Sequence, residues 1–324
     1  MIRLWRDKPV SIPIKSGDVT VPIKHIFPSG RQALSHSLQI AGLGRNDKVA
    51  IPEWSSHCVI SAVGKVATPI PMFEVAKYNI TVDAILIYEQ WGWPIPENVM
   101  NNLGKIFKDK ILIYDLVDSA HFKFEGYVNN KLFKNIYSII SLSKILGLPG
   151  GGIALANGQQ LEYKSNVEFE EYLDAFDKVD YTGLELPGII NNYKKSEIPA
   201  VSKNIKSWLQ TNDLFGSISC ELQQRQNNIL ILSEGSLTKE WPAWMKKAIE
   251  IGAGPGIAPL FRGEPDLVLM NNQKKLKKEL GIETSIYHFN WSGDPLSPNY
   301  EKCLAIPVHG LIHNINKIVA LLNI

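Results

Sequence analysis

Two patterns of apolar spacing alternate through the first half of this chain. Segments 84–88 (AILIY) and 110–117 (KILIYDLV) are continuous apolar runs of the kind found in strands buried on both faces. Segment 48–52 is a shorter β-prone run stopped by Pro52. Segment 68–75 (TPIPMFEV) predicts a strand confined to a sheet edge, because Pro69 and Pro71 lack the N–H that a central ladder needs. Between these runs the spacing becomes helical at 30–43, 56–65 and 96–107, and 136–142 and 152–156 read as further strands. Strand and helix in alternation predict an α/β architecture, a mostly parallel sheet with helices on both faces.

Beyond Asn157 the composition changes. Segment 167–179 is acidic and helical, and 196–209 reads as a longer amphipathic helix. From about Gly216 a smaller α+β pattern follows: strand 228–233, helix 240–251, strand 266–270, helix 272–280, strand 285–289 and a final helix 314–322. The predicted organisation is a large domain over 1–215, with an N-terminal arm, and a small C-terminal domain over 216–324.

Composition narrows the function classes. The 34 basic residues nearly cancel the 32 acidic ones, for a net charge of +2, so no field of one sign draws in nucleic acid or an anionic membrane. No apolar stretch approaches the ~20 residues of a membrane span. Residues 1–8 already carry Arg3, Arg6, Asp7 and Lys8, with no apolar signal core after them. Cys58, Cys220 and Cys303 lie far apart without a CxxC, which predicts neither a disulfide framework nor a zinc ribbon, and a cytoplasmic setting.

Open parallel sheets bind ligands beyond the carboxyl ends of their strands, so the residues there carry the chemical signal. Phe27-Pro28-Ser29-Gly30-Arg31 opens a helix with small residues, whose first-turn N–H groups can hold a phosphate. The same residues also suit a plain Ser N-cap and a helix-start glycine. After the 110–117 run, Asp118 and His121 can face one ligand together, or cap a turn and sit in a polar loop. Lys144, in Ser141-Leu142-Ser143-Lys144, lies between an apolar strand and a glycine-rich turn. Desolvation there would lower its pKa and free the amine for a Schiff base, whereas a solvated loop lysine is the plain alternative. Two patterns lead elsewhere. Gly252-Ala253-Gly254-Pro255-Gly256 follows a helical pattern and lacks GxGxxG spacing, so a linker is expected. His309 and His313 stand four apart, but Gly310 intervenes and no carboxylate has matching spacing, so no metal site is expected.

In order and spacing these segments resemble the DegT/DnrJ/StrS family of pyridoxal-phosphate-dependent sugar aminotransferases. The family's Ser-Gly-Thr helix start is similar to Ser29-Gly30-Arg31, its Asp-x-x-Gln/His pair to Asp118 and His121, and its cofactor lysine to Lys144, 26 residues after Asp118. Its Gly-Gly-x-x-x-x-Asn looks like Gly151-Gly152 through Asn157, and its Asn-Tyr-Arg-x-Ser-Glu like Asn192-Tyr193-Lys194-Lys195-Ser196-Glu197. Its Leu-Pro-x-His is similar to Ile306-Pro307-Val308-His309, and the helix–Gly-Ile–strand unit at 276–289 matches too. The resemblance runs from about Phe27 to the C-terminus.

It implies a fold-type I PLP-transferase, with a seven-stranded, mostly parallel sheet sandwiched by helices and a smaller C-terminal α+β domain. It further implies pyridoxal 5'-phosphate as cofactor, with Lys144 as the Schiff-base lysine and the acid/base of proton transfer. Asp118 would pair with the pyridine nitrogen, and His121 would lie against the ring or its phenolic oxygen. Ser29, Gly30, Arg31 and Ser141 or Ser143 would hold the phosphate, joined by Asn192 from the second subunit of a homodimer. The substrate class implied is a keto sugar or nucleotide-linked keto sugar, with an amino donor such as glutamate. Substrate contacts would come from variable loops such as Glu89-Gln90-Trp91-Gly92-Trp93.

The departures are specific. Arg31 and Lys194 replace the family's Thr and Arg, and Ile139 replaces a serine, which passes the phosphate role to Ser141 or Ser143. The aromatic that stacks on the ring would fall at Ser56, which leaves His57 or Trp54 to take that place. These changes keep open a non-catalytic or divergent member of the fold. A sugar dehydratase of the same family carries histidine in place of the lysine, and Lys144 opposes it.

Overall fold

The computed structural model describes residues 1–15, 21–119, 132–163 and 201–322. His121, Asn192 with its motif at 192–197, and the helix expected at 167–179 lie outside the described residues.

Seven strands form the main sheet: β1 (Lys48–Ile51), β2 (Thr68–Pro71), β3 (Ala84–Tyr88), β4 (Ile111–Asp115), β5 (Asn135–Ser141), β6 (Gly152–Ala156) and β7 (Gln159–Gln160). Their order is β2-β1-β3-β4-β5-β6-β7, parallel through β5 and antiparallel from β5 to β7. The apolar runs form the centre, with Ala84 opposite Ile111 and Tyr88 opposite Asp115. Successive residues of β3 point to opposite faces: Ile85 and Ile87 join one core and Ala84 and Leu86 the other. Both faces are therefore dry, which is why these strands read as unbroken apolar runs.

Helices α1 (Gly30–Ile40) and α2 (His57–Gly64) cover one face through Leu34, Leu38 and Val63. The other face is covered by α3 (Met72–Tyr78), α4 (Glu97–Ile106), α5 (Leu142–Leu146), α6 (Lys203–Thr211) and the first turns of α7 (Leu214–Ser233). The two-proline strand stands at the sheet edge as expected, but only Thr68–Pro71 is extended. Met72 and Val75, three apart, are buried on one side of α3, so helical spacing takes over there.

The C-terminal part holds a three-stranded antiparallel sheet in the order β8 (Ile257–Leu260), β10 (Tyr300–Pro307), β9 (Ser285–Asn290). Around it pack α8 (Ala243–Glu250), α9 (Asp266–Leu280), α10 (Ile315–Leu322) and the last turns of α7. The N-terminal arm spans both parts: Ile2 bridges to Ile282, while Val10 enters the core of the large sheet.

Two expected strands are helical. Segment 228–233 ends α7, where Ile218, Glu221, Arg225, Asn228, Ile229 and Leu232 are buried at helical spacing. A short apolar run reads alike in a buried helix and a strand, and here the polar residues buried one turn earlier carry the true period. Segment 266–270 opens α9, which buries Leu269 and Leu276, seven apart, and leaves Leu267 and Met270 exposed. The strands β8 and β10 escape the sequence reading. Their apolar residues are bounded by prolines and glycines that read as linker and motif.

Candidate active site

The parallel strands deliver their carboxyl ends to one side of the sheet, and four segments converge there. Residues 27–29 run beside 151–152, with Phe27 and Gly152 exchanging main-chain hydrogen bonds of 2.8 and 2.9 Å. This contact sets the start of α1 against the end of β5. Ser29 is the N-cap of α1, its Oγ accepting from the Gln32 N–H at 3.2 Å. The first-turn N–H groups that follow lie at the positive end of the helix dipole.

Two glycines permit the approach. A Cβ on Gly30 would stand 3.3 Å from Ser141 Cβ, and one on Gly152 only 2.7 Å from the Ser29 carbonyl and 2.8 Å from the Gly30 nitrogen. The Ser141 and Ser143 hydroxyls lie 3.0 Å apart. Ser29, Gly30, Ser141 and Ser143 are thus brought together. Ile139 is fully buried in the core, and Ser141, two residues on, shares its side of β5 at the strand end. The Arg31 side chain lines a cavity of about 290 Å³ between α1 and α2, with His36, Cys58, Lys65 and Tyr163.

Asp118 follows β4 and is buried. Its Oδ1 accepts from Lys144 Nζ at 2.7 Å and its Oδ2 from the Trp91 N–H at 3.2 Å. Trp91 holds a left-handed backbone (φ 58°), which a bulky residue adopts only when the surroundings enforce it. Lys144 stands on α5, partly exposed, its Nζ 5.0 Å from the centre of the Trp5 ring. Burial acts to lower its pKa, but the charge and hydrogen bond of Asp118, then Asp115 and Cys58, outweigh this and the net shift is upward. The lowered pKa expected from desolvation alone is thereby corrected: the chain pairs this lysine with a carboxylate it could not reveal as a neighbour.

The segment expected to contact substrate, Glu89 to Trp93, joins the two sheets. Trp91 and Trp93 are buried, and Glu89 accepts from the hydroxyls of Tyr114 and Ser119 at 2.5 Å each. Gln90 bonds the β9 main chain at His288 and Asn290, and Trp93 Nε1 donates to the Ile257 carbonyl. Two tryptophans in five residues carry too much apolar surface to stay on a solvated loop once a second sheet lies nearby. Trp54 stacks on Tyr300 at 5.2 Å and meets His288 at 4.7 Å, so its ring is engaged with the small sheet, while His57 is exposed at the start of α2.

Three charged residues at the site escape the sequence reading. Asp115, the last residue of β4, is buried, and burial pushes its pKa up to about 6 against the lowering effect of Lys144. Its position at the end of an apolar run was the available signal. Glu221 and Arg225, buried on α7, carried none, because nothing local in the chain places them under the site. His309, set aside as a ligand, is buried with Nε2 3.0 Å from the Arg3 carbonyl, and burial lowers its pKa to about 4.

A family model described as "Putative PLP-dependent aminotransferase" matches residues 18–183, more than half of the chain. Among solved structures, a DegT/DnrJ/EryC1/StrS aminotransferase from Brucella abortus is similar at 15% identity and a TM-score of 0.56, covering 92% of this chain and 84% of its own. DesV from S. venezuelae matches at 14% identity and 0.54, covering 92% and 82%. The Bacillus subtilis protein ntda, solved with bound cofactor PMP, matches at 13% and 0.54, covering 92% and 73%. These likenesses extend the fold comparison over both sheets. No curated protein sequence matches the chain.

Proposed function

This chain belongs to the family of PLP-dependent aminotransferases whose model spans residues 18–183, and from that premise we propose that it moves an amino group onto a keto sugar or nucleotide-linked keto sugar. The observation that carries the reading is the 2.7 Å pair of Lys144 Nζ and Asp118 Oδ1 beside the cradle of Ser29, Gly30, Ser141 and Ser143. An amine, a buried carboxylate and a glycine-lined helix start are the three partners that the aldehyde, ring nitrogen and phosphate of pyridoxal phosphate require. The donor set fits a phosphate because Gly30 and Gly152 let the start of α1 approach Ser141 and Ser143, so that first-turn N–H groups and two hydroxyls stand together. When bound, the cofactor supplies an electron sink that makes the proton on the amino carbon removable.

The chain's own residues do the rest. Asp118, held by the Trp91 N–H, keeps a proton on the ring nitrogen. Lys144 Nζ would exchange its 2.7 Å contact with Asp118 for the cofactor aldehyde. Its amine would then be the acid/base that moves the proton between the amino carbon and C4′. Ser141, Ser143 and the first turn of α1, at Gly30 and Arg31, bind the phosphate and fix the ring. We assign His121 to the ring, and Asn192 to the phosphate of the second subunit in a homodimer. His57, at the exposed start of α2, is proposed to cover the ring. The sugar substrate and a glutamate donor rest on the motif resemblance and on the shared fold of sugar aminotransferases.

Incubation with pyridoxal 5'-phosphate, borohydride reduction and peptide mapping should label the peptide that contains Lys144. A label on another lysine, with Lys144→Ala still coloured, sinks the assignment. Return of the visible band when the pyridoxamine form meets keto-sugar nucleotides, and not simple 2-keto acids alone, supports the sugar substrate.

A further inference from the structure

We infer that Arg225 is a positioning residue that sets the spacing of Asp118 and Lys144 through their main-chain carbonyls, with the glycine loop at 252–256 as its socket. Arg225 is buried on α7. Its Nη1 donates to the Asp118 carbonyl at 2.9 Å, its Nη2 to the Lys144 carbonyl at 3.3 Å, and its Nε to Glu221 Oε1 at 2.7 Å. One planar fork thereby joins the turn after β4 to α5, two segments whose side chains form the 2.7 Å pair. The inference rests on Asp118 and Lys144 being the cofactor residues.

The electrostatics explain why both carbonyls are recruited. Glu221 also accepts from Arg6 Nη1 at 2.9 Å, so two guanidinium groups share one buried carboxylate. The surplus positive charge needs dipoles, and hydrogen bonds from a charged donor are stronger than neutral ones. On the Arg225 side the carbonyls supply those dipoles. On the Arg6 side, Nε has no partner among the described residues. Arg6 thus serves Glu221, while Arg225 serves the site.

The glycine motif has a steric role here. A Cβ on Gly256 would lie 3.0 Å from Arg225 Nη1, and one on Gly254 would lie 3.4 Å from Arg225 Cβ and 2.6 Å from Leu222 Cδ1. Gly92, with φ +85°, closes the other side, since its Cβ would stand 2.9 Å from the Asp118 carbonyl and 3.2 Å from Pro255 Cα. The sequence pattern of this segment favours a linker over a nucleotide loop. What the glycines provide is room for a buried guanidinium.

The test compares Arg225→Met with Arg6→Met, which disturbs the same ion cluster without touching either carbonyl. The readouts are the pH midpoint of amine labelling at Lys144 in the full chain, the dissociation constant for pyridoxal 5'-phosphate, and thermal unfolding. Lys144 faces Asp118, Asp115, Cys58 and the Trp5 ring. If Asp118 slips, burial acts on the amine against Asp115 and Cys58 only. Arg225→Met should therefore lower the labelling midpoint by about one unit and weaken the cofactor about tenfold. Arg6→Met should lower the unfolding temperature while leaving both other readouts in place. Equal shifts in the two variants, or none in either, would make the cluster merely structural and overturn the inference. Should Arg225→Met fail to fold, Gly256→Ala keeps every charge and displaces the guanidinium by a methyl group. It should shift the midpoint the same way by a smaller amount, and an unmoved midpoint would be decisive against positioning. A wild-type chain that never attaches the cofactor at Lys144 would defeat the proposed function, while the labelling comparison would still decide the role of Arg225.

Discussion

The cradle at Ser29, Gly30, Ser141 and Ser143 and the Asp118–Lys144 pair stand at the ends of adjacent strands, yet they are built differently. The cradle is main chain against main chain: residues 27–29 alongside 151–152, with glycines wherever a side chain would intrude. The pair is held by side chains from elsewhere. Trp91 orients the Asp118 carboxylate, and Arg225 on α7 holds both carbonyls. A backbone cradle accepts no added volume at its glycines. A side-chain clamp tolerates volume poorly and loss of charge not at all.

The largest expected effect lies on the pair. Asp118→Asn preserves shape and removes the charge proposed to keep a proton on the ring nitrogen, so turnover should fall by orders of magnitude while the cofactor stays bound, as steady-state kinetics and a binding titration would show. Turnover at the wild-type rate would end the distinction between the two regions. A smaller effect lies on the cradle. Gly152→Ala places a methyl 2.7 Å from the Ser29 carbonyl, so the affinity for pyridoxal 5'-phosphate should drop about tenfold or more. Attachment of phosphate-free pyridoxal at Lys144 should change little. Equal losses for both would show that the cradle and the pair are one unit.

The smallest effect on turnover is expected at Asp115, and it appears in stability. Its folded pKa of about 6 stands above the ordinary 3.8, so between these values the folded chain binds more protons than the unfolded one. Stability contributed by this group is complete below about pH 4 and is lost as pH rises through 6, by about 3 kcal/mol. Asp115→Asn should remove that decline, read as denaturant midpoints at pH 4.5 and 7.5. Matching pH slopes in variant and wild type would place Asp115 in the ordinary carboxylate range.

The large sheet was legible because its signals are local. AILIY and KILIYDLV announce strands dry on both faces, and the prolines at 69 and 71 announce an edge. Ser29-Gly30 announces a helix start, whereas its close approach to Gly151-Gly152 appears only in the fold. The C-terminal part was less legible, since NNILILS and DLVLM fit either a strand or a buried helix, and only their partners settle the period.

The chain alone thus determined the parallel sheet and the residue types gathered at its strand ends, because backbone geometry and apolar period act over a few residues. Tertiary structure decided that Lys144 is paired and its pKa raised, that Trp91 and Trp93 are buried between the sheets, and that a guanidinium 81 residues beyond Lys144 donates to its carbonyl. Each of those depends on which charges and surfaces meet after folding. Electrostatic energy is set by distance and burial, and neither is written in the spacing of residues along the chain.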